Sequence, residues 1–332
     1  MARCSPVIAL LSAGLTLRCP HPAGPVSVGT HPSIASVDTI PLSGRPFAVA
    51  VAGSNVVYVT ALDAGLVART TVPSETIAVT FAIGAIPSQV RISPNGATAY
   101  VNNQDAGAVK VVDVSSNATV NTITVPGSIL TIGLSPNGTR LYALTDYRGM
   151  YIIDARSGVV LDSISPALLG SILAGVAFHP SLPRMYVAAR DAGTVATINT
   201  QTNAVMQVDT VNGGNLQNVA VSRGGDQLFA TDILRSKLIT WDLLSGKPAP
   251  THEEDGIGTP VFRNAFDVAL TPDNAQLYVS TLADGAVYVL DRVTRAPITT
   301  IWTGGSARYI GFDRLGATAV IPNEGGWVTF VH

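Results

Sequence analysis

The sequence predicts an all-β fold, a seven-bladed β-propeller of four-stranded antiparallel blades, its last blade closed by an N-terminal strand over residues 34–40. Three observations predict it. An aromatic recurs at Tyr58, Tyr100, Tyr142, Tyr186, Phe229 and Tyr278, with Val320 in the same place of the last copy. The intervals are 42, 42, 44, 43, 49 and 42 residues, the length of one four-stranded blade. Turn signals bracket each marker. Ser93-Pro94-Asn95-Gly96 and Ser135-Pro136-Asn137-Gly138 precede it, and Ala64-Gly65, Asp105-Ala106-Gly107, Ala192-Gly193 and Asp284-Gly285 follow it; Gly supplies the positive φ that such tight turns require. Between turns the residues alternate as strands do, with no sustained helical period.

Taken in order, residues 1–32 form a leader and tether and residues 33–332 the propeller. Arg3 precedes the apolar run Val7–Leu17, which is too short to span a bilayer and has the form of an export signal. It is either cleaved or retained as a membrane- or partner-anchoring leader. Cys19 follows Leu17-Arg18, where a lipoprotein signal needs a small residue. Pro20–Pro32 is a tether in which His21 and His31 are expected to be solvated. Ile34–Ile40 alternates like an outer strand, and the last repeat holds only three strands, ending at Trp327–His332. Pairing the two closes the ring and removes two open sheet edges.

The first unit runs from Pro46 to Phe81, the second has strands at Ser88–Ser93, Ala97–Asn103, Ala108–Val114 and Ala118–Val125, the third runs from Ile129 to Ile164 and the fourth from Ala174 to Val208. Ser165–Leu173 has room for a short helix. Lys247–Asn264 accounts for the one long interval. Loops beyond a repeat's needs are where function concentrates, so His252, Glu253, Glu254 and Asp255 are partner-docking candidates.

Tyr58-Val59-Thr60, Tyr100-Val101-Asn102-Asn103 and Tyr278-Val279-Ser280, with their Ser-Pro-Asn-Gly turns, resemble the signature of the bacterial YVTN family of seven-bladed propellers. The resemblance covers about Ile34 to the C-terminal end. It implies the propeller fold and an extracytoplasmic setting, and it leaves function open because that family's roles are diverse. The fifth unit departs from the pattern with Ser222-Arg223-Gly224-Gly225 and Phe229, and the seventh has Asp313-Arg314-Leu315-Gly316 and no aromatic.

The 332 residues are 47% hydrophobic and only 13% charged, with net charge −2. That gives no electrostatic case for nucleic-acid binding. The two cysteines, Cys4 and Cys19, lie in the leader, so the repeats carry no disulfide and no Cys-x-x-Cys motif. Neither a nucleophile elbow, a zinc-protease helix, a phosphate loop nor a dinucleotide fingerprint is present, and no cofactor is implied. His179 stands where other blades have the turn Ser, so it reads as a turn residue rather than a base. Asp113, Asp154, Asn199, Asp242 and Asp291 recur once per blade at the end of the third strand, which is turn chemistry rather than a converging metal site. Asn117-Ala118-Thr119 and Asn137-Gly138-Thr139 match a glycosylation sequon by coincidence.

Mapping the repeat puts Arg45, Gln89, Ile129, Ala174, Asn218, Asp267 and Arg308 at the channel mouth. Of these, Arg45, Gln89, Asn218, Asp267 and Arg308 are the ligand candidates. A metal centre wants several carboxylates or imidazoles, and Asp267 stands nearly alone among them. The leading reading is a non-catalytic interaction scaffold, an accessory subunit on the periplasmic face of a bacterial membrane assembly such as an electron-transfer or photosynthetic complex. The partner is a protein, with membrane contact only through the leader. The alternatives are a metal-dependent lactonase-like hydrolase or lyase at the mouth, and a sensor for a small anion or cell-wall ligand.

Overall fold

A computed structural model describes residues 30–332 except 54, 73, 246–249 and 255–261. The leader, His21 and Asp255 lie outside the described residues. Seven four-stranded antiparallel sheets follow one another along the chain. Blade 2 is representative, with strands Val90–Ile92, Thr98–Asn103, Ala108–Asp113 and Ala118–Thr124 from the axis outward. Blade 7 takes Gly311–Phe312, Ala319–Asn323 and Trp327–Val331 from one end of the chain and Val37–Pro41 from the other. The closing register runs from Val37 opposite Val331 to Pro41 opposite Trp327. The expected strand 34–40 therefore closes the ring, shifted slightly along the chain.

The second strand of each blade is sandwiched between neighbouring sheets, so it reads as a continuous apolar run rather than an alternation. Val56–Ala61 is buried at every position. The six marker aromatics sit in this layer, all buried, each contributing on the order of 2–3 kcal/mol by leaving water. Outer strands face solvent on one side and are built from Thr, Asn and Val. Ala118–Thr124 is exposed at all but Ile123.

The turns follow the sequence grammar. Ser93 Oγ donates to Asn95 Oδ1 at 2.6 Å and accepts the Thr98 N–H at 2.9 Å, while Gly96 holds φ +71°. Gly107 is required by space as well as by its φ of +56°, since a Cβ there would lie 2.6 Å from the carbonyl oxygens of both Val125 and Gly127. Asp113 accepts bonds from Ser115 and from both the amide and the hydroxyl of Ser116. Those bonds hold its carboxyl down at about 2. Ser165–Leu173 carries the short helix Pro166–Leu169, capped by Ser165. Among the described residues no helix is long and apolar enough to cross a membrane.

Two expectations are corrected. Residues 252–254 are not an interblade loop. They form the outer strand of blade 5, with Leu238 opposite Glu254 and Thr240 opposite His252. The third strand of that blade, Lys237–Asp242, needs a covering neighbour, and the chain supplies it after a longer excursion than elsewhere. His31 is not simply solvated either: its Nδ1 lies 2.6 Å from Asp273 Oδ2 of blade 6, and the Thr30 amide donates to Leu315 O. The segment before the closing strand is thus held against the ring.

Candidate functional site

The residue two places after the marker aromatic explains the signature. In blade 2 it is Asn102, fully buried. Its Oδ1 accepts the Gln89 N–H at 2.5 Å, and its Nδ2 donates to Ser88 Oγ at 2.8 Å and to Ile129 O of blade 3 at 2.7 Å. Thr231 does the same in blade 5, accepting the Asn218 N–H at 3.1 Å and donating to Phe266 O of blade 6 at 2.8 Å. Thr60 and Ser280 accept the equivalent amides of Ala48 and Asp267. In blades 1, 5 and 6 that amide needs a side-chain acceptor because the inner strand is bulged at this level, with register shifts between Pro46 and Val49, Leu216 and Asn218, and Ala265 and Asp267.

The bulge also decides which side chains reach the axis. Phe47, Ser88, Leu130, Ala174, Gln217, Phe266 and Tyr309 line a cavity of about 420 Å³ at the channel mouth, together with Arg45, Arg190, Arg308 and Glu324. Of the seven positions expected there, the structure brings Arg45, Ala174 and Arg308 to the cavity. Gln89, Asn218 and Asp267 each sit one residue past the lining position, and Ile129 one residue before it. A bulge inserts an extra residue in one strand, and a strict period-two count cannot see it.

The displaced polar residues form an engaged layer beside the cavity. Asp267 is buried; its Oδ1 accepts from Asn218 of blade 5, and its Oδ2 accepts the Ile310 N–H of blade 7 at 2.8 Å. Burial pushes its carboxyl up to about 6, against the pull of those donors and of Arg91. Arg91 donates to Gln89 Oε1 at 2.5 Å, and burial lowers it from its ordinary value. Burial pushes the Tyr309 phenol up to about 12.

At the cavity itself Phe47, Phe266 and Tyr309 pack edge to face, with centroids 5.1–5.7 Å apart. Arg308 lies over two of these rings, 4.5 Å from the Phe266 centroid and 4.9 Å from that of Phe47, and pairs with Glu324 at 2.8 Å. Arg45 pairs with exposed Asp63 at 2.9 Å. The sequence reading missed the aromatic trio, Arg190 and Glu324. Phe47 and Phe266 stand 11 and 12 residues before their marker aromatics, the one signal that could have found them.

The candidate docking residues are also engaged. Glu253 receives Arg235 and Lys237, and Glu254 receives Arg295 of blade 6 at 2.9 Å. Burial works to raise the Glu253 carboxyl, and those two cations bring it below its ordinary value. His252 Nδ1 lies 3.2 Å from Thr251 Oγ1. His179 behaves as a turn residue: its Nδ1 accepts the amides of Ser181 and Leu182 at 3.2 and 3.0 Å, leaving Nε2–H to donate to Gly225 O.

No family model matches the sequence, and no curated protein matches it. Solved structures do. A chain of the Kuenenia stuttgartiensis hydrazine synthase is similar over 88% of this chain and 96% of its own, with a TM-score of 0.79 and 16% identity. The β-propeller domain of Myceliophteria thermophila Cps50 (Swd1) is similar over 89% and 99%, with a TM-score of 0.75 and 14% identity. At such identity the likeness is one of fold.

Proposed function

We propose that this propeller is a non-catalytic protein-interaction scaffold, an accessory subunit of a larger assembly. One observation carries the reading. Among the described residues, the two aromatic side chains left most open to solvent are Tyr147 at 66% and Trp302 at 68%, and strand order puts both on the face that carries the channel mouth. Leu234, 71% exposed, stands on that face too. Exposed aromatics beside a low-charge surface suit an interface core. Within the same reading the chain is a YVTN-type bacterial protein, exported and docked on the periplasmic face of a membrane assembly through the leader and this face. An electron-transfer complex, respiratory or photosynthetic, is the host class to test.

Affinity capture of the full chain from native membranes tests it. The expected result is one stoichiometric protein partner, lost in Trp302→Arg/Leu234→Arg; recovery of a free periplasmic monomer would overturn it. N-terminal sequencing of the captured product reports whether the leader persists.

The small-anion alternative has its own support. Three arginines line the mouth, and the buried Nε atoms of Arg190 and Arg308 lack a hydrogen-bond partner. A thermal-shift screen of small carboxylates and phosphates separates the two readings, because a docking subunit is indifferent to them. The hydrolase alternative is left with Asp267, whose two oxygens are both occupied.

A further inference from the structure

A second cluster of chemistry lies far from the channel, where the ring closes. Asp38 is on the closing strand of blade 7, His332 follows the strand beside it, and Glu75 projects from the connection between the third and outer strands of blade 1. One ligand atom from each lies within 4.8 Å of the other two. The three positions are spread over nearly the whole chain, so no spacing rule could pair them.

The geometry at His332 is specific. Its Nδ1 lies 3.0 Å from the hydroxyl of Thr318, a residue only 3% exposed. Thr318 holds Nδ1 and so turns Nε2 toward Glu75, 2.5 Å from its Oε1. In the metal-free ring Nε2–H donates to that carboxylate, with the Thr318 hydroxyl donating to Nδ1. With the proton displaced, the same nitrogen offers its lone pair beside two carboxylates. A buried second-shell partner fixing the ring, one imidazole nitrogen and two carboxylates is a donor set that Zn²⁺ takes in three-ligand sites.

We propose that Asp38, Glu75 and His332 bind a divalent transition-metal ion of the Zn²⁺ class, clipping the closing strand of blade 7 to blade 1. The exposed carboxylate of Asp38 turns inward to complete the set, and water fills the remaining position. The ion would act as a removable staple on the one seam that the chain closes with its distant ends.

The test is titration of the EDTA-treated, dialysed full chain with ZnCl₂, followed by calorimetry and by thermal unfolding. The expected result is one-site binding and a rise in the unfolding midpoint of about 2–5 °C at saturating Zn²⁺. Asp38→Asn, Glu75→Gln and His332→Gln each abolish that rise while retaining the wild-type circular dichroism of the metal-free protein. Thr318→Val keeps all three ligands but frees the ring, and weakens Zn²⁺ binding about tenfold. No binding at about 100 μM Zn²⁺, far above the working range of such a site, would show that the close pair is a hydrogen bond only and would overturn the proposal. Equal binding in wild type and all three ligand variants would overturn it too, assigning the metal to other ligands such as Cys4, Cys19 and His21.

Discussion

The seams between blades 2 and 3 and between blades 7 and 1 solve the same problem with different chemistry. Between blades 2 and 3, Asn102 caps the Gln89 amide of its own blade and reaches across to Ile129 O, and Tyr100 Oη donates to Ala155 O at 3.0 Å. Each bond comes from a repeat position. In blade 7 the position equivalent to Asn102 is Pro322, which has no polar side chain to offer. There the seam is held by the Phe47, Phe266 and Tyr309 cluster beneath Arg308, by the long backbone bond from Tyr309 to Phe47 O, and by the His332–Glu75 pair. At the first seam the repeat motif carries the joint. At the second, residues with no periodic signature take over.

Breaking the closing strand gives the largest expected effect. Ile40→Pro removes a ladder donor and the side chain that packs against the core of blade 1. A loss on the order of 4 kcal/mol or more is expected in urea denaturation. Because blade 7 then offers an open edge, the variant should also aggregate on concentration, which light scattering reports. Wild-type stability in this variant would mean that the ring does not depend on its seam.

Asn102→Ala tests the repeat-encoded seam. It removes three side-chain bonds and leaves the buried Gln89 N–H and Ile129 C=O short of partners, a cost of about 3 kcal/mol. Pro322→Ala, at the equivalent place of blade 7, has no such bonds to lose and should cost less than about 1 kcal/mol. Equal effects would erase the contrast between the seams.

This contrast also explains what was legible. Seven blades, the closing strand and the Asp113-type turns were readable because each rests on residues that recur or sit at a fixed offset from a marker. The mouth was readable only to within one residue, since the bulge at Asn218 and Asp267 breaks the strand alternation without any residue that announces it. The outer strand at His252–Glu254 was hidden by its short length, its charge and its distance from the preceding strand. The Asp38, Glu75 and His332 cluster depends on ring closure alone, and His332 had no partner that any local rule supplied.

Asp267 gives a pH-dependent test of the link across blades 5, 6 and 7. Its folded carboxyl sits at about 6, above the ordinary value of 3.8. The folded state therefore binds this proton where the unfolded chain does not, and stability falls as pH rises from about 4 through 6. The expected difference is on the order of 2 kcal/mol, fully present below about pH 4 and gone by about pH 7. Asp267→Asn should flatten that segment of the stability–pH curve, with the Asn218 amide turned over so that its oxygen faces the new donor. An unchanged slope would move the titration to another group.

The smallest effect separates two tyrosines at the same repeat position. Tyr100 Oη donates across the seam to Ala155 O, while Tyr278 Oη, equally enclosed, has no hydrogen-bond partner. Burial raises both phenols above their ordinary value, so neither titrates below pH 10. Tyr100→Phe loses a bond and strands a carbonyl, costing about 1 kcal/mol. Tyr278→Phe removes only an unpaired hydroxyl from an apolar layer and should be neutral or stabilising by up to about 1 kcal/mol. Opposite signs in paired urea titrations would show that the marker aromatic is kept for its ring in blade 6 and for both ring and hydroxyl in blade 2. Matching losses would mean that the Tyr278 hydroxyl is bonded within the folded ring, and would erase the distinction between the two blades.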